Sequence, residues 1–272
     1  MKEVSKYTGV KHTLKGVSEV SDILTNEAPF QILVNGKPFS VTMRTPGNEV
    51  DLLRGILHSE NVFTNKAASF KHQTMEIDTD GIVTKMNAVI PEDQLDFGFE
   101  SERSLTSVSS CGICGKEDLS SITLCGQPLG DKSTFTMVQI NSMFEEMAKH
   151  QDAFLSSGGC HAAAAFDCDG NMLVLREDIG RHNAVDKVIG NILNHGLFGE
   201  AKVLLVSGRV SYEIVSKAYY AGIPILAAIS APSSLAVDVA NEFGVSLLGF
   251  CRTDKVTAYS GVHRVIAWLL TW

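Results

Sequence analysis

The run Val203-Leu204-Leu205-Val206-Ser207-Gly208-Arg209-Val210-Ser211 and its echo Pro224-Ile225-Leu226-Ala227-Ala228-Ile229-Ser230-Ala231-Pro232-Ser233-Ser234 decide the fold of this chain. Each is a short apolar stretch without alternation, closed by small polar residues and followed by a helical pattern, over 213–221 and 235–243. Strands buried on one face alternate; these do not, so they belong to a sheet covered on both sides. The same grammar continues outward. A helix is predicted over 184–193 and a third apolar strand over 245–250. Upstream, 161–166 and 171–175 read as a hairpin closed by Asp167-Cys168-Asp169-Gly170. Before it, Met137, Ile140, Phe144, Met147 and Ala148 share one face of a helix that runs out at Ser156-Ser157-Gly158-Gly159. Strands and helices alternating in this way imply a three-layer α/β domain, which we place at 131–272.

The N-terminal part is built differently. Phe30-Gln31-Ile32-Leu33-Val34 and Phe39-Ser40-Val41-Thr42-Met43 are β-rich and flank Asn35-Gly36, a strong hairpin signal. Pro46-Gly47 breaks the strand, and Asn48 stands where a helix cap belongs, ahead of Val50, Leu53, Ile56 and Leu57 at helical spacing. A second hairpin, 74–78 with 82–90, flanks Asp80-Gly81. Together they predict a small α+β domain at 28–130, ending in the loop Ser109-Ser110-Cys111-Gly112-Ile113-Cys114-Gly115-Lys116. Residues 1–27 mix charges with Thr, Ser and Gly and read as a flexible lead-in.

Composition narrows the function. The chain is 44% hydrophobic and 20% charged, ordinary for a soluble globular protein. With 23 basic and 31 acidic residues its net charge is −8, which argues against a nucleic-acid partner. No stretch reaches the roughly 18 apolar residues that a membrane helix needs. The N-terminus has no secretory pattern, so the expected location is cytoplasmic, a reducing compartment. Disulfides are rare there, and chemistry better explains at least the close pair among the six cysteines.

In open α/β sheets, ligands collect in loops at the carboxyl ends of strands, beside helix N-termini. Ser207, Gly208 and Arg209 fill one such loop, and Ser233 and Ser234 another. Both offer backbone N–H groups and hydroxyls to an anion, and Arg209 adds a guanidinium suited to phosphate. Ser211 and Ser233 are equally good helix caps. The densest polar stretch, Arg176-Glu177-Asp178-Ile179-Gly180-Arg181-His182-Asn183, also lies at a strand end. His182 within it suits a general acid or base, a ligand, or a capping residue. Arg252 extends the same basic rim.

Three explanations fit the paired thiols Cys111 and Cys114. Structural zinc needs four ligands, and Cys125, Cys160, Cys168 and Cys251 are each solitary, so no structural metal is expected. A thioredoxin-like redox pair opens a helix, which Gly115 directly after Cys114 opposes. Sulfur transfer fits better. A thiolate on an exposed loop among small residues, beside Lys116, attacks a donor's persulfide and carries the outer sulfur to an acceptor.

Several blocks occur together and in order: the loop 109–116, Gly158-Gly159-Cys160-His161, Arg176 to Lys187, Ser207-Gly208-Arg209, and Ala231-Pro232-Ser233-Ser234-Leu235-Ala236. In these the chain resembles the formate dehydrogenase accessory sulfurtransferases, the FdhD family. The resemblance implies a cytidine-deaminase-like α/β domain. It implies a cysteine desulfurase as sulfur donor, Cys111 as persulfide carrier with Cys114 as helper, and the metal of a bis-molybdopterin guanine dinucleotide cofactor as acceptor. The cofactor is destined for formate dehydrogenase, and a homodimer is the family expectation. The family's cofactor segment corresponds here to Phe250-Cys251-Arg252-Thr253-Asp254-Lys255. A zinc deaminase needs His-x-Glu and Pro-Cys-x-x-Cys at two helix starts. The corresponding places read Arg181-His182-Asn183 and Ser207-Gly208-Arg209-Val210-Ser211, which points to an anion site in place of zinc. A thiol-disulfide oxidoreductase and a non-catalytic molybdenum cofactor chaperone remain as alternatives.

Overall fold

The computed structural model describes residues 3–96 and 126–266. Its first element contradicts the expected lead-in: β1 (Val4–Thr13) and β2 (Gly16–Thr25) form an antiparallel ribbon, closed by Gly16 at φ 136°. β-Branched residues spaced along both strands, such as Val4, Thr8, Val10, Val17, Val20 and Ile23, favour this conformation without forming an apolar run. The ribbon is tied to the body at its base, where Thr25 Oγ1 lies 2.7 Å from Ser157 Oγ.

β3 (Ala28–Val34) and β4 (Lys37–Arg44) form the predicted hairpin, with Asn35 at φ 51° and Gly36 at φ 79°, the left-handed pair of a type I′ turn. α1 (Glu49–Ser59) follows. Asn48 occupies its N-cap position, but its side chain makes no capping bond; Glu49 instead accepts from Gly47 N and pairs with Arg44. β5 (Lys71–Ile77) and β6 (Val83–Val89) complete a four-stranded sheet ordered β4-β3-β6-β5. Every second residue of β3, among them Phe30, Ile32 and Val34, is buried against Leu52, Leu53, Ile56 and Leu57 of α1.

After β7 (Phe135–Thr136), α2 (Met137–Lys149) opens on a capping box between Thr136 and Gln139. The single helix expected to reach Ser156 is two: α3 (Asp152–Ser157) starts afresh after Gln151. The restart has a cause. The Glu177 carboxylate accepts from Ala153 N and Phe154 N, both at 2.8 Å, and so occupies the N-terminus of α3.

β8 (His161–Phe166), β9 (Met172–Asp178), α4 (Arg181–Asn194), β10 (Val203–Val206), α5 (Tyr212–Ala221), β11 (Ile225–Ala228), α6 (Ser234–Glu242), β12 (Ser246–Arg252) and β13 (Lys255–Ala258) follow, with the short β14 (Val265–Ile266) pairing with β7. Six of them form one sheet in the order β13-β12-β11-β10-β8-β9, with β10, β11 and β12 parallel. Leu204 and Leu226 point into a core shared with α4, α5 and α6, whereas Val203, Leu205 and Ile225 point into a second core shared with α2. The unbroken apolar strands thus report two covered faces, as the sequence predicts.

The two sheets are joined helix to helix. α1 crosses α4 at two glycines: a Cβ on Gly55 would stand 1.9 Å from Asp186 O, and one on Gly190 1.8 Å from Asp51 O. Ionic contacts ring that crossing. Arg176 NH2 meets Asp51 Oδ2 at 2.9 Å, Lys217 Nζ meets Asp186 Oδ1 at 2.6 Å, and buried Lys187 Nζ meets Asp178 Oδ2 at 2.8 Å and Thr45 O at 2.8 Å. The polar stretch from the end of β9 into α4 is therefore largely a brace between the two sheets.

Candidate functional site

Because β8 runs antiparallel to β10 and β9 antiparallel to β8, the start of β8 and the end of β9 share an edge with the carboxyl ends of β10, β11 and β12. Three loops meet there. Ser207 Oγ accepts from Ala162 N at 3.0 Å and lies 3.3 Å from His161 Nδ1. Gly208 is buried, and a Cβ there would meet Arg181 Cδ at 3.2 Å and His161 Cε1 at 3.4 Å, so glycine lets Arg181 and His161 close over the loop. The loop 207–211 is tied to the loop 229–233: Val210 N donates to Ala231 O at 3.1 Å and Ser233 N to Val210 O at 2.9 Å.

The cations at this edge are not spent on carboxylates. Among the described residues neither Arg181 nor Arg209 has an ion-pair partner, and Arg209 is exposed. Burial lowers the pKa of His161, and the nearby charges of Arg181 and Arg209 lower it further, so the ring is uncharged at neutral pH. Two guanidiniums with a hydrogen-bonding imidazole and two helix starts, α4 and α5, suit a phosphate-bearing ligand.

The expected residues divide. Ser207, Gly208 and Arg209 lie together at this edge. His182 is buried, with Nε2 at 2.9 Å from Glu213 Oε2 and 3.3 Å from Ser211 Oγ, so it joins the start of α4 to that of α5. Ser211 therefore does not cap α5 through its hydroxyl. Ser233 does cap α6, accepting from Ala236 N at 3.2 Å, and Ser234 is the exposed first residue of that helix.

The segment from Phe250 to Lys255 comprises the end of β12, the turn Thr253-Asp254 and the start of β13. Phe250 is exposed and sits at φ 52°, a left-handed conformation that bulky residues rarely adopt. Its ring lies 6.5 Å from that of Tyr259. Arg252 NH1 donates to Ile229 O at 2.7 Å, which anchors the exposed side chain over the neighbouring loop. Thr253 O accepts from Asn141 of α2, and Asp254 and Lys255 are exposed. Cys251 is the exception in this segment. Its side chain is buried in the α2-side core and burial pushes its pKa up to about 11, so its sulfur belongs to the core.

Sequence reasoning left His161 and Arg181 out of the site, although Cys160-His161 and Arg181 both fall within distinctive blocks; their pairing across Gly208 is a tertiary fact. Cys111, Cys114 and Cys125 lie outside the described residues. Cys160 is buried, and burial raises its pKa although Thr25 lies within hydrogen-bonding distance. Cys168 is exposed on the β8–β9 turn, at the opposite end of the sheet. Among the described residues no group of three or more His, Cys, Asp or Glu side chains is placed to hold a metal ion. No described helix is long and apolar enough to cross a membrane.

Residues 25–266 match the FdhD/NarQ family. The chain belongs to that family. It is 40% identical over 253 residues to the sulfur carrier protein FdhD of Mycobacterium tuberculosis, covering 90% of this chain and 92% of that protein. Similarity reaches the archaea: the sulfur carrier protein FdhD of Sulfolobus acidocaldarius is 38% identical over 262 residues, 96% of this chain and 97% of that one. A crystal structure described as a formate dehydrogenase accessory protein, from Desulfotalea psychrophila, shares the mixed α/β fold with a TM-score of 0.76 at 20% identity, covering 97% of this chain and 100% of that chain. Family membership thus rests on sequence across nearly the whole chain, and the solved relative supports the fold.

Proposed function

We propose that this FdhD/NarQ family member is a sulfurtransferase that serves formate dehydrogenase. A cysteine desulfurase supplies the sulfur. The Cys111 thiolate attacks the outer sulfur of the donor's persulfide, the S–S bond of the donor breaks, the donor leaves as thiolate, and Cys111 keeps the persulfide, with Cys114 assisting. The acceptor, a substrate rather than a resident group, is the metal of bis-molybdopterin guanine dinucleotide.

The observation that carries this reading is the edge where, among the described residues, Arg181 and Arg209 stand without carboxylate partners beside His161, Ser207 and the hairpin bearing Phe250 and Arg252. These residues fit an anionic dinucleotide: guanidiniums and helix N-termini for the phosphates, and an exposed aromatic ring for a flat base. The described cysteines support it by elimination. Cys160 and Cys251 are buried thiols with raised pKa values, unsuited to nucleophilic attack, and Cys168 is remote from this edge. Distance is also compatible. Gly126 leads to Leu129, whose N–H donates to Phe243 O, next to the start of β12. Gly126 is twelve positions beyond Cys114, up to about 40 Å of chain. The seven-residue β12 spans only about 23 Å from that end to the strand-end edge.

In this reading the chain works in the cytoplasm as a homodimer. The test is intact-protein mass spectrometry after incubation with a cysteine desulfurase and cysteine. The expected result is an adduct of one sulfur atom that disappears in Cys111→Ala. Guanine nucleotide binding without any adduct would leave a cofactor chaperone, and a stable intramolecular disulfide with neither would leave an oxidoreductase.

A further inference from the structure

Three side chains at the strand-end edge form a closed set. His182 Nε2 lies 2.9 Å from Glu213 Oε2 and 3.3 Å from Ser211 Oγ, and Ser211 Oγ donates to the same carboxylate oxygen at 3.3 Å. A carboxylate accepts but does not donate, so Nε2 carries the proton. Burial opposes ionisation of Glu213, yet its hydrogen bond with His182 and the charges of His182 and Lys217 bring its pKa below the usual value. Glu213 is therefore an anion beside a site suited to anions, adverse on charge alone. Nor does Ser211 cap α5 through its side chain; its hydroxyl serves the contact with α4.

The consequence is geometric. Arg181 directly precedes His182, and its stem packs where Gly208 leaves room; Arg209 lies two residues before Ser211. The two guanidiniums thus stand on different elements, the start of α4 and the loop that leads into α5. That loop is tied at its near end by Ser207 to Ala162, in its middle by Val210 to the loop 229–233, and at its far end by Ser211 and Glu213 to His182. The bonds to His182 join that far end directly to the helix bearing Arg181. Fixed spacing matters to a ligand that spans both cations, because groups already held in place lose less freedom on binding.

We propose that His182 is a positioning residue of this edge: paired with Glu213, it fixes the loop bearing Arg209 relative to Arg181, so that both guanidiniums meet one phosphate-bearing ligand. This role rests on the phosphate-binding reading of the edge. The test is calorimetric titration of the full chain with guanosine diphosphate, with urea midpoints confirming that each variant is folded. Glu213→Ala is decisive, because positioning and charge predict opposite signs for it. It should bind about tenfold or more weakly than wild type, as should His182→Ala. Glu213→Gln and His182→Gln, which keep a hydrogen-bonding atom at each place, should stay within about threefold of wild type. Where His182→Ala fails to fold, Glu213→Ala carries the comparison. Tighter binding in Glu213→Ala would mean that the carboxylate only repels the ligand, and unchanged binding in the alanine variants would make the contact a brace alone. Either result overturns the positioning role and leaves the phosphate-binding reading standing, whereas no saturable binding by wild type would overturn both.

Discussion

Replacing Gly55 with alanine should destabilise the protein far more than a helical Gly→Ala exchange normally does. In an exposed helix that exchange stabilises by about 0.5–1 kcal/mol. Here the new methyl would lie 1.9 Å from Asp186 O, 2.5 Å from its carbonyl carbon and 2.8 Å from its Cα, all backbone atoms that cannot rotate away. Ordinary contact begins at 3.4 Å, so α1 and α4 must part by about 1.5 Å. Overpacking of this kind costs about 1–3 kcal/mol. Parting the helices also lengthens the 2.7 Å bond from Ser59 of α1 to Asp186 of α4. Each hydrogen bond to a charged group contributes about 1.5–3 kcal/mol. The steric and polar losses outweigh the helical gain, leaving a net loss of about 2–5 kcal/mol against a typical total of 5–15. Urea unfolding curves for wild type, Gly55→Ala and Gly130→Ala measure it. Gly130 has nothing within 4 Å of an added Cβ and serves as the neutral control. A Gly55→Ala protein within about 1 kcal/mol of wild type would refute the crossing as a rigid contact.

Acid should find a second weak point at His58, whose pKa burial lowers to about 4, with Arg54, Lys66 and Lys217 adding to the effect. Its folded pKa lies below the unfolded value of 6.5, so its stabilising contribution is complete above pH 6.5 and is lost as pH falls through 4, at most about 3 kcal/mol. Urea midpoints across that window should drop in wild type and drop less in His58→Leu. Arg252→Ala should weaken binding of a guanine nucleotide by calorimetry while leaving sulfur loading intact; equal loss of both would contradict the separation of the two sites. Cys160→Ala and Cys251→Ala should each keep the sulfur adduct by mass spectrometry, and loss in either would move the carrier into the body of the protein.

The large sheet was legible because its three parallel strands are continuous apolar runs, a pattern that survives without tertiary knowledge. The Asn35-Gly36 turn was legible for the same kind of reason, since the backbone there requires left-handed residues. The ribbon at Val4–Thr25 was not, because most of its side chains are exposed and little apolar patterning marks it. The break between α2 and α3 depends on Glu177, a residue over twenty positions away that captures two backbone N–H groups. For the candidate site, the strand-end loops could be read from position alone, and Cys251 could be set aside as incidental to its segment, but not for a reason the sequence showed. Only the pleat of β12 shows that its thiol faces the core while Phe250 and Arg252 are exposed. The block from Arg176 to Lys187 looked like ligand-binding chemistry, yet much of its charge is used in joining α4 to α1.

The close approach of α1 and α4 also bears on how the chain is made. Asp51 finds Asn191 and Asn194 at sequence separations of 140 and 143 residues. At about 5–20 residues per second, a ribosome takes on the order of ten seconds to produce that intervening stretch. Throughout that interval the nascent N-terminal sheet shows an unpaired Asp51 and a bare glycine groove on α1. On a newborn chain that face of α1 lacks its packing partner until α4 leaves the exit tunnel.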